Sequence, residues 1–216
     1  MKKRIVVIDD HPIVRQGFVQ LINMEKDLEV VGEAETAADG FQIIRNNKPD
    51  MALIDLSLKE SNGLELIKDV VHFLPGLPIL VVSLHDENIY AERALRAGAK
   101  GFIMKAEATE NVMTAIREVL CGKVYLSDKV KLKLLDKIAA GNNAASVSPV
   151  DVLSDRELEV FQLIGKGFKT SAIADSLNLS IKTIETYKSH LKLKLDIPNG
   201  TELIQRAVEW AISADY

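Results

Sequence analysis

Apolar and polar positions alternate in two different rhythms along the chain. Up to residue 121, short apolar runs alternate with stretches of helical period. The runs predict strands at Arg4–Asp9, Leu28–Glu33, Met51–Asp55, Ile79–Ser83 and Gly101–Met104. The intervening stretches predict helices at Pro12–Asn23, Ala37–Asn46, Leu64–Phe73, Ile89–Ala97 and Glu110–Cys121. Five such repeats imply an α/β fold, a five-stranded, doubly wound parallel sheet covered on both faces. After a turn at Gly122–Leu126, Asp128–Ala140 reads as a short basic amphipathic helix, and Gly141–Asp151 as a flexible Gly/Asn/Ser/Pro linker. Beyond it the pattern is helical only. Ser154 and Glu157 form a capping-box signature ahead of Asp155–Gly165, followed by helices at Thr170–Leu177, Ile181–Leu195 and Thr201–Ala214. The expected organisation is therefore a domain at 1–121, a linker with a short helix at 122–150, and a small all-α, four-helix domain at 151–216. Two short helices joined by a tight turn fit a helix-turn-helix.

Composition narrows the class. The chain has 216 residues, 47% hydrophobic and 27% charged, as expected of a water-soluble globular protein. No apolar run approaches a membrane span, and the apolar start is too short for a signal peptide, so a cytoplasmic protein without a membrane partner is expected. The single cysteine, Cys121, fits a reducing compartment and reads as packing. Formal net charge is −4; residues 1–121 carry 14 basic and 19 acidic groups, and 151–216 carry 8 and 10. Any nucleic-acid surface must be local. One exists: Asn178–Leu195 holds four lysines against one acid.

The candidate chemistry sits where strands end, the edge at which α/β sheets bind ligands. Asp9 and Asp10 close the first strand, Asp55 the third, Ser83 the fourth and Lys105 the fifth. One aspartate there is commonly a turn or cap residue; the joint placement is what carries meaning. Adjacent carboxylates plus Asp55 offer hard oxygen ligands to Mg²⁺. Asp55 would be a nucleophile toward a phosphoryl donor, with Lys105 and the metal neutralising the transferred oxygens and Ser83 hydrogen-bonding one of them. IDDHPIVRQG has no glycine fingerprint, which argues against a dinucleotide fold. His11 reads as a loop residue, since Mg²⁺ prefers oxygen.

In the third helix of the C-terminal part, Ile181, Ile184, Leu191 and Leu195 recur at core spacing. Lys182, Glu185, Thr186 and Ser189 share another face, flanked by Lys188, Lys192 and Lys194. Lysines and hydroxyls would hold phosphates, and Lys182, Glu185 and Thr186 would reach base edges of double-stranded DNA. The bland alternative is a solvated helix with internal ion pairs. Trp210 reads as core or dimer interface.

The segments VVIDDHPIVRQG, MALIDLSLKESNGLEL, ILVVSLHDE and AGAKGFIMKA resemble the receiver domain of two-component response regulators. LSDRELEV, IADSL and TIETYKSHLKLKL resemble the LuxR-type helix-turn-helix, so the whole chain is similar to the NarL/FixJ-type subfamily. The resemblance implies a flavodoxin-like receiver with Asp55 as phosphoacceptor, Asp9 and Asp10 as Mg²⁺ ligands and the backbone carbonyl of Ser57 as a further ligand. It implies Ser83 and Phe102 as switch residues, with Phe102 packing inward when phosphorylation draws Ser83 toward the phosphoryl group. It implies Ile181–Leu195 as recognition helix, with Thr170, Thr183, Tyr187, Lys188 and Lys192 on phosphates, and Thr201–Ala214 as a dimer-forming helix. The implied partners are a sensor histidine kinase, a promoter with paired half-sites and, once phosphorylated, a second copy of a prokaryotic chain. The sequence departs from the family at Lys59 (often Pro), Phe102 (commonly Tyr), Ala106 (often Pro or Asp) and Ser171–Ala172 (often Lys-Glu).

The expected function is a transcription regulator controlled by phosphorylation, which catalyses only its own phosphoryl transfer. Three rivals remain. A Mg²⁺-dependent phosphatase would want an acid two residues after Asp55, where Ser57 stands. A DNA-binding regulator that acts without phosphorylation is the second. An RNA-binding output lacks stacking aromatics beyond Tyr187 and Trp210.

Overall fold

The computed structural model describes residues 1–58, 61–139 and 149–214. The chain divides into two compact units, Met1–Gly141 and Asn142–Tyr216. In the first, β1 (Lys3–Ile8), α1 (Pro12–Asn23), β2 (Leu28–Ala34), α2 (Ala37–Asn47) and β3 (Met51–Ile54) lead to a small hairpin, β4 (Ser57–Leu58) and β5 (Ser61–Asn62). Then come α3 (Gly63–Phe73), β6 (Ile79–Ser83), α4 (Glu87–Ala97), β7 (Gly101–Met104), α5 (Lys105–Leu120) and α6 (Asp128–Ala139).

The sheet order is β2-β1-β3-β6-β7, and every pairing in it is parallel. The runs MALI and ILVVS are buried at every position, as strands covered on both faces must be. Ile5, Val7, Leu53, Leu80, Val82 and Ile103 pack on one face against Phe18 and Ile22 of α1 and Val112, Ile116 and Val119 of α5. Each such fully buried side chain contributes about 1.5–3 kcal/mol. The chain runs from β1 outward to β2, then crosses back to β3 on the other side of β1. This reversal leaves a crevice outside the carboxyl ends of β1 and β3, where Asp9 and Asp55 follow.

Three sequence expectations change here. The polar loop after Asp55 contains the β4–β5 hairpin, closed by Ser57–Asn62 and Leu58–Ser61 pairing. The helix after the last strand begins at Lys105, not Glu110, because KAEATE is rich in helix formers with Glu107 in the first turn to meet the helix dipole. Gly63 also opens α3 one residue early; a Cβ there would overlap the backbone of Asp55 and Leu56. That absence of a side chain lets α3 close directly onto the Asp55 loop.

The helix α6 falls in the stretch read as linker, yet it packs on α4. Val130 is buried, Lys133 donates to the Asn88 carbonyl (3.0 Å), and Lys137 pairs with Glu92 (2.9 Å). The expectations for Lys59, Ala140 and most of the linker lie outside the described residues.

Among the described residues, the second unit comprises a 3-10 turn (Pro149–Val152), followed by α7 (Asp155–Gly165), α8 (Thr170–Ser176), α9 (Ile181–Lys194) and α10 (Gly200–Ala214). The Ser154/Glu157 capping box is present in full. Between α8 and α9 the backbone reverses through Asn178 at φ +52°, a conformation asparagine tolerates well. Leu158, Phe161, Ile184, Leu191, Leu203 and Ala207 form the core. Trp210 lies 5.7 Å, ring to ring, from Phe161. Ile181 was expected in this core but is 57% exposed at the first turn of α9, and Leu195 is only half-buried. Capping by Ser180 sets the start of α9, so the apolar stripe begins at Ile184.

Candidate functional site

The strand ends bring Asp9, Asp10, Asp55 and Lys105 together. Asp9 and Asp55 are buried, and so is the Lys105 side chain. Lys105 Nζ lies 2.8 Å from Asp55 Oδ2 and 2.8 Å from Asp9 Oδ2. A lysine at the first residue of a helix opposes the helix dipole by about 0.3–1 kcal/mol. Two short contacts to buried carboxylates offset that cost. Asp9 Oδ1 accepts from the His11 backbone N–H (2.8 Å), which fixes its rotamer. Burial pushes the Asp55 carboxyl above the ordinary aspartate range, with Lys105 pulling the other way and Asp9 adding to the rise.

Three carboxylates against one ammonium leave the pocket short of positive charge. Two buried oxygens, Asp10 Oδ1 and Asp55 Oδ1, have no hydrogen-bond partner among the described residues. Unmatched buried acceptors are costly, and a hard cation is what they lack. The side-chain ligand atoms of Asp9, Asp10, His11 and Asp55 lie within 4.8 Å of one another, so the residues fit a divalent metal.

Ser83 is fully buried at the end of β6, and its hydroxyl accepts from the His85 backbone N–H (3.2 Å). The Ser57 hydroxyl is 2.9 Å from His85 Nε2, whose ring stacks on Tyr90 with centroids 4.5 Å apart. This joins the Asp55 loop to the loop after β6, a link the sequence reading did not contain. Phe102 is 1% exposed. The inward packing expected to follow phosphorylation is therefore already present, since the space behind β7 accepts the ring as ordinary core.

One supporting residue was missed altogether. Arg15, buried in α1, donates to the Asp9 main-chain carbonyl (2.6 Å), to Glu33 at the end of β2 (3.2 Å) and to Glu35 just beyond it (2.8 Å). It clamps the backbone that carries the acid pair. The only hint in the sequence is a basic residue six positions after Asp9.

In the second unit, Lys182, Glu185, Thr186 and Ser189 are exposed on α9, while Thr183, Tyr187, Lys188 and Lys192 are half-buried along its flanks. Thr186 and Ser189 hydroxyls donate back to the carbonyls of Lys182 and Glu185 (both 3.0 Å). Ser180 Oγ accepts from Thr183 N–H, capping the helix. Thr170 and Lys188 both donate to Glu185, at 3.2 and 2.9 Å, and Lys188 also reaches Thr170 at 3.2 Å. Lys188 holds the Glu185 carboxyl below its ordinary range. These three residues thus form one polar link between α8 and α9. Glu157 fixes α9 from behind: its carboxylate accepts from Ser154 N–H (2.7 Å) and pairs with Lys194 (2.7 Å).

Residues 5–117 match the family model of the response regulator receiver domain, and residues 151–207 that of the bacterial regulatory proteins of the luxR family. The oxygen regulatory protein NreC of Staphylococcus haemolyticus (strain JCSC1435) is 35% identical over 210 residues, covering 95% of this chain and 97% of that protein. Among solved structures, the RcsB response regulator of Salmonella typhimurium aligns with a TM-score of 0.67 at 27% identity, covering 96% of this chain and 98% of that one. RcsB from Salmonella enterica serovar Typhimurium, bound to promoter rprA in the presence of the phosphomimetic BeF3-, aligns with a TM-score of 0.62 at 28% identity, covering 95% and 98%.

Proposed function

The chain belongs to the response regulators that join a receiver to a LuxR-type DNA-binding domain in two-component transcription regulation, and we propose that Asp55 is its phosphoacceptor switch. On this reading residues 1–121 are the receiver, 122–150 the connection and 151–216 the DNA-binding domain. The chain is a regulator rather than a metabolic enzyme, and the transfer it catalyses is onto itself.

The observation that carries the reading is the Asp9–Lys105–Asp55 bridge beside two buried, unmatched carboxylate oxygens. A sensor histidine kinase presents a phosphorylated imidazole. An Asp55 carboxylate oxygen bonds to phosphorus while the phosphorus–nitrogen bond breaks, and the released imidazole keeps the electron pair and takes up a proton. Asp9, Asp10, Asp55 and the Ser57 carbonyl would hold Mg²⁺, which when bound would supply charge neutralisation at the transferred oxygens. Lys105, already 2.8 Å from Asp55, follows the new negative charge. Ser83 donates its hydroxyl to a phosphoryl oxygen, a contact available in only one of the two states, and such a differential contact is what shifts a population. Phe102 packs behind it in the buried position it already holds.

Phosphorylation then favours a homodimer, which presents two recognition helices to paired half-sites and gains affinity through effective concentration. Lys182, Glu185 and Thr186 read bases; Thr170, Thr183, Tyr187, Lys188, Ser189 and Lys192 hold the backbone. RcsB bound to promoter rprA in the presence of a phosphomimetic supports, by analogy, DNA binding by the phosphorylated form.

The test is phosphorylation of the full chain by a small acyl phosphate with Mg²⁺, followed by intact mass. One added phosphoryl group, lost in Asp55→Asn and after chelation, is the expected result. Labelling that survives Asp55→Asn overturns the assignment. Unchanged DNA binding by Asp55→Asn would favour the regulator that acts without phosphorylation.

A further inference from the structure

We propose that Glu185 reads a cytosine in each half-site, with one carboxylate oxygen anchored to α8 and the other offered to the base edge. This rests on the reading of α9 as the helix that enters the major groove. It adds the identity of one base and the residues that aim the side chain at it.

Asn178–Leu195 carries four lysines and a single acid, Glu185. A carboxylate on a surface that meets phosphates is repelled, unless it is neutralised and the duplex offers it a donor. The first condition is met within the protein. Lys188 Nζ lies 2.9 Å from Glu185 Oε1, and the Thr170 hydroxyl donates to the same oxygen at 3.2 Å. Lys188 also donates to Thr170 Oγ1 at 3.2 Å, so the hydroxyl accepts from the lysine and turns its hydrogen to Glu185. Glu185, Thr170 and Lys188 thus form one closed set, and the ammonium keeps a further N–H for a phosphate.

Both bonds to the carboxylate fall on Oε1, and Oε2 takes part in neither. The Glu185 side chain is 54% exposed, in the second turn of α9, beside the exposed Lys182, Thr186 and Ser189. Thr186 and Ser189 spend their hydroxyl hydrogens on the carbonyls of Lys182 and Glu185. Glu185 is therefore the charged acceptor of this face, and its rotamer is set before a duplex arrives. The bond from Lys188 holds its carboxyl below the ordinary range, so at neutral pH it accepts and does not donate.

The second condition selects the base. In the major groove the donors are the amino groups of cytosine (N4) and adenine (N6). Adenine sets the N7 lone pair beside its amino group, which repels a carboxylate, whereas cytosine N4 has a C–H for a neighbour. Guanine and thymine present only the acceptors O6, N7 and O4. A carboxylate with one oxygen anchored and one to offer thus favours cytosine over the other three. An i,i+3 ion pair that merely stabilised α9 would gain nothing from a third partner on α8.

The test is selection of bound duplexes from a random pool by the full chain with Mg²⁺ and beryllofluoride, for wild type, Glu185→Gln and Thr170→Val. Wild type should prefer cytosine at one position of each half-site, on the order of tenfold over other bases. Glu185→Gln keeps an oxygen for Lys188 and Thr170 but puts an amide N–H where Oε2 stood. At that position alone the preference should move from cytosine to thymine, whose O4 takes the place of N4. Thr170→Val keeps the shape and removes the hydroxyl. It should relax the preference at that position, beyond any uniform loss from its own contact with the backbone. A move to adenine in Glu185→Gln, which takes both amide atoms, would overturn the anchoring by Thr170 and Lys188. An unaltered base profile, or an equal loss at every position, would overturn the base-reading role while leaving α9 as the recognition helix. A wild-type chain that enriches no site sinks this proposal together with the DNA reading of the second unit.

Discussion

Asp55 is buried by the end of a central strand, and burial alone would disfavour its charge; Lys105 pulls the other way, and a cation held by the acid cluster would add to that pull. Geometry at this scale depends also on residues outside the acid cluster. Arg15 is the main one, because its guanidinium ties the Asp9 carbonyl to Glu33 and Glu35. Arg15→Ala should lower Mg²⁺ affinity on the order of tenfold, as loss of an orienting partner does at other metal sites. Arg15→Lys should restore little, since one ammonium cannot reach three acceptors. Calorimetric Mg²⁺ titration decides this, and wild-type affinity in Arg15→Ala would refute the clamp. Asp9, Asp55, Ser83 and Lys105 were legible because each ends an apolar run. Arg15 was not, since its acidic partners lie 18 and 20 positions away and leave no periodic trace. The burial of Phe102 was equally invisible, because sequence shows an aromatic in a strand but not the state in which its cavity is filled.

At the scale of elements, caps decide where helices start, and starts decide which side chains are exposed. Ser180 sets α9 so that Ile181 faces solvent despite its apolar spacing, and helix formers after β7 bring α5 back to Lys105. Neither shows in the sequence, because period is clearer than boundary. The Glu157 carboxyl caps α7 and holds Lys194 of α9 at once. Burial raises its pKa, but Lys194 and the Ser154 N–H more than offset this, so it is held below the ordinary range. Its stabilisation is therefore present above the unfolded value near about 4.3 and is lost as pH falls through the folded value. Glu157→Gln should cost the second unit about 1–2 kcal/mol at neutral pH and almost nothing below that window. Urea titration followed by fluorescence of Trp210, the single tryptophan and a neighbour of Phe161, reads that unit alone. A difference independent of pH would contradict it. On the outer face of α9, Lys192→Ala should weaken binding to all duplexes and reduce the salt slope by about 1, whereas Thr186→Ala should relax preference at one base pair. An unchanged slope, or unchanged preference, would remove those roles.

At the scale of the whole molecule, the order of the long helices and of the five sheet strands was readable, since the change from alternating runs to pure helical period marks two kinds of folding unit. The β4–β5 hairpin and the packing of α6 on α4 were not readable. Two residues per strand are too few to show alternation, and the contacts of Lys133 and Lys137 reach across 45 positions to α4. A site at one sheet edge and a reading helix in another unit make a regulator only if the first governs the second. The measurement that tests this directly is selection of bound duplexes from a random pool by the full chain with Mg²⁺, with and without a beryllofluoride mimic of the phosphoryl group. Enrichment of a two-fold symmetric site mainly with the mimic, and its loss in Asp55→Asn, is the predicted result. Equal enrichment in both arms would keep the DNA reading and contradict the switch at Asp55.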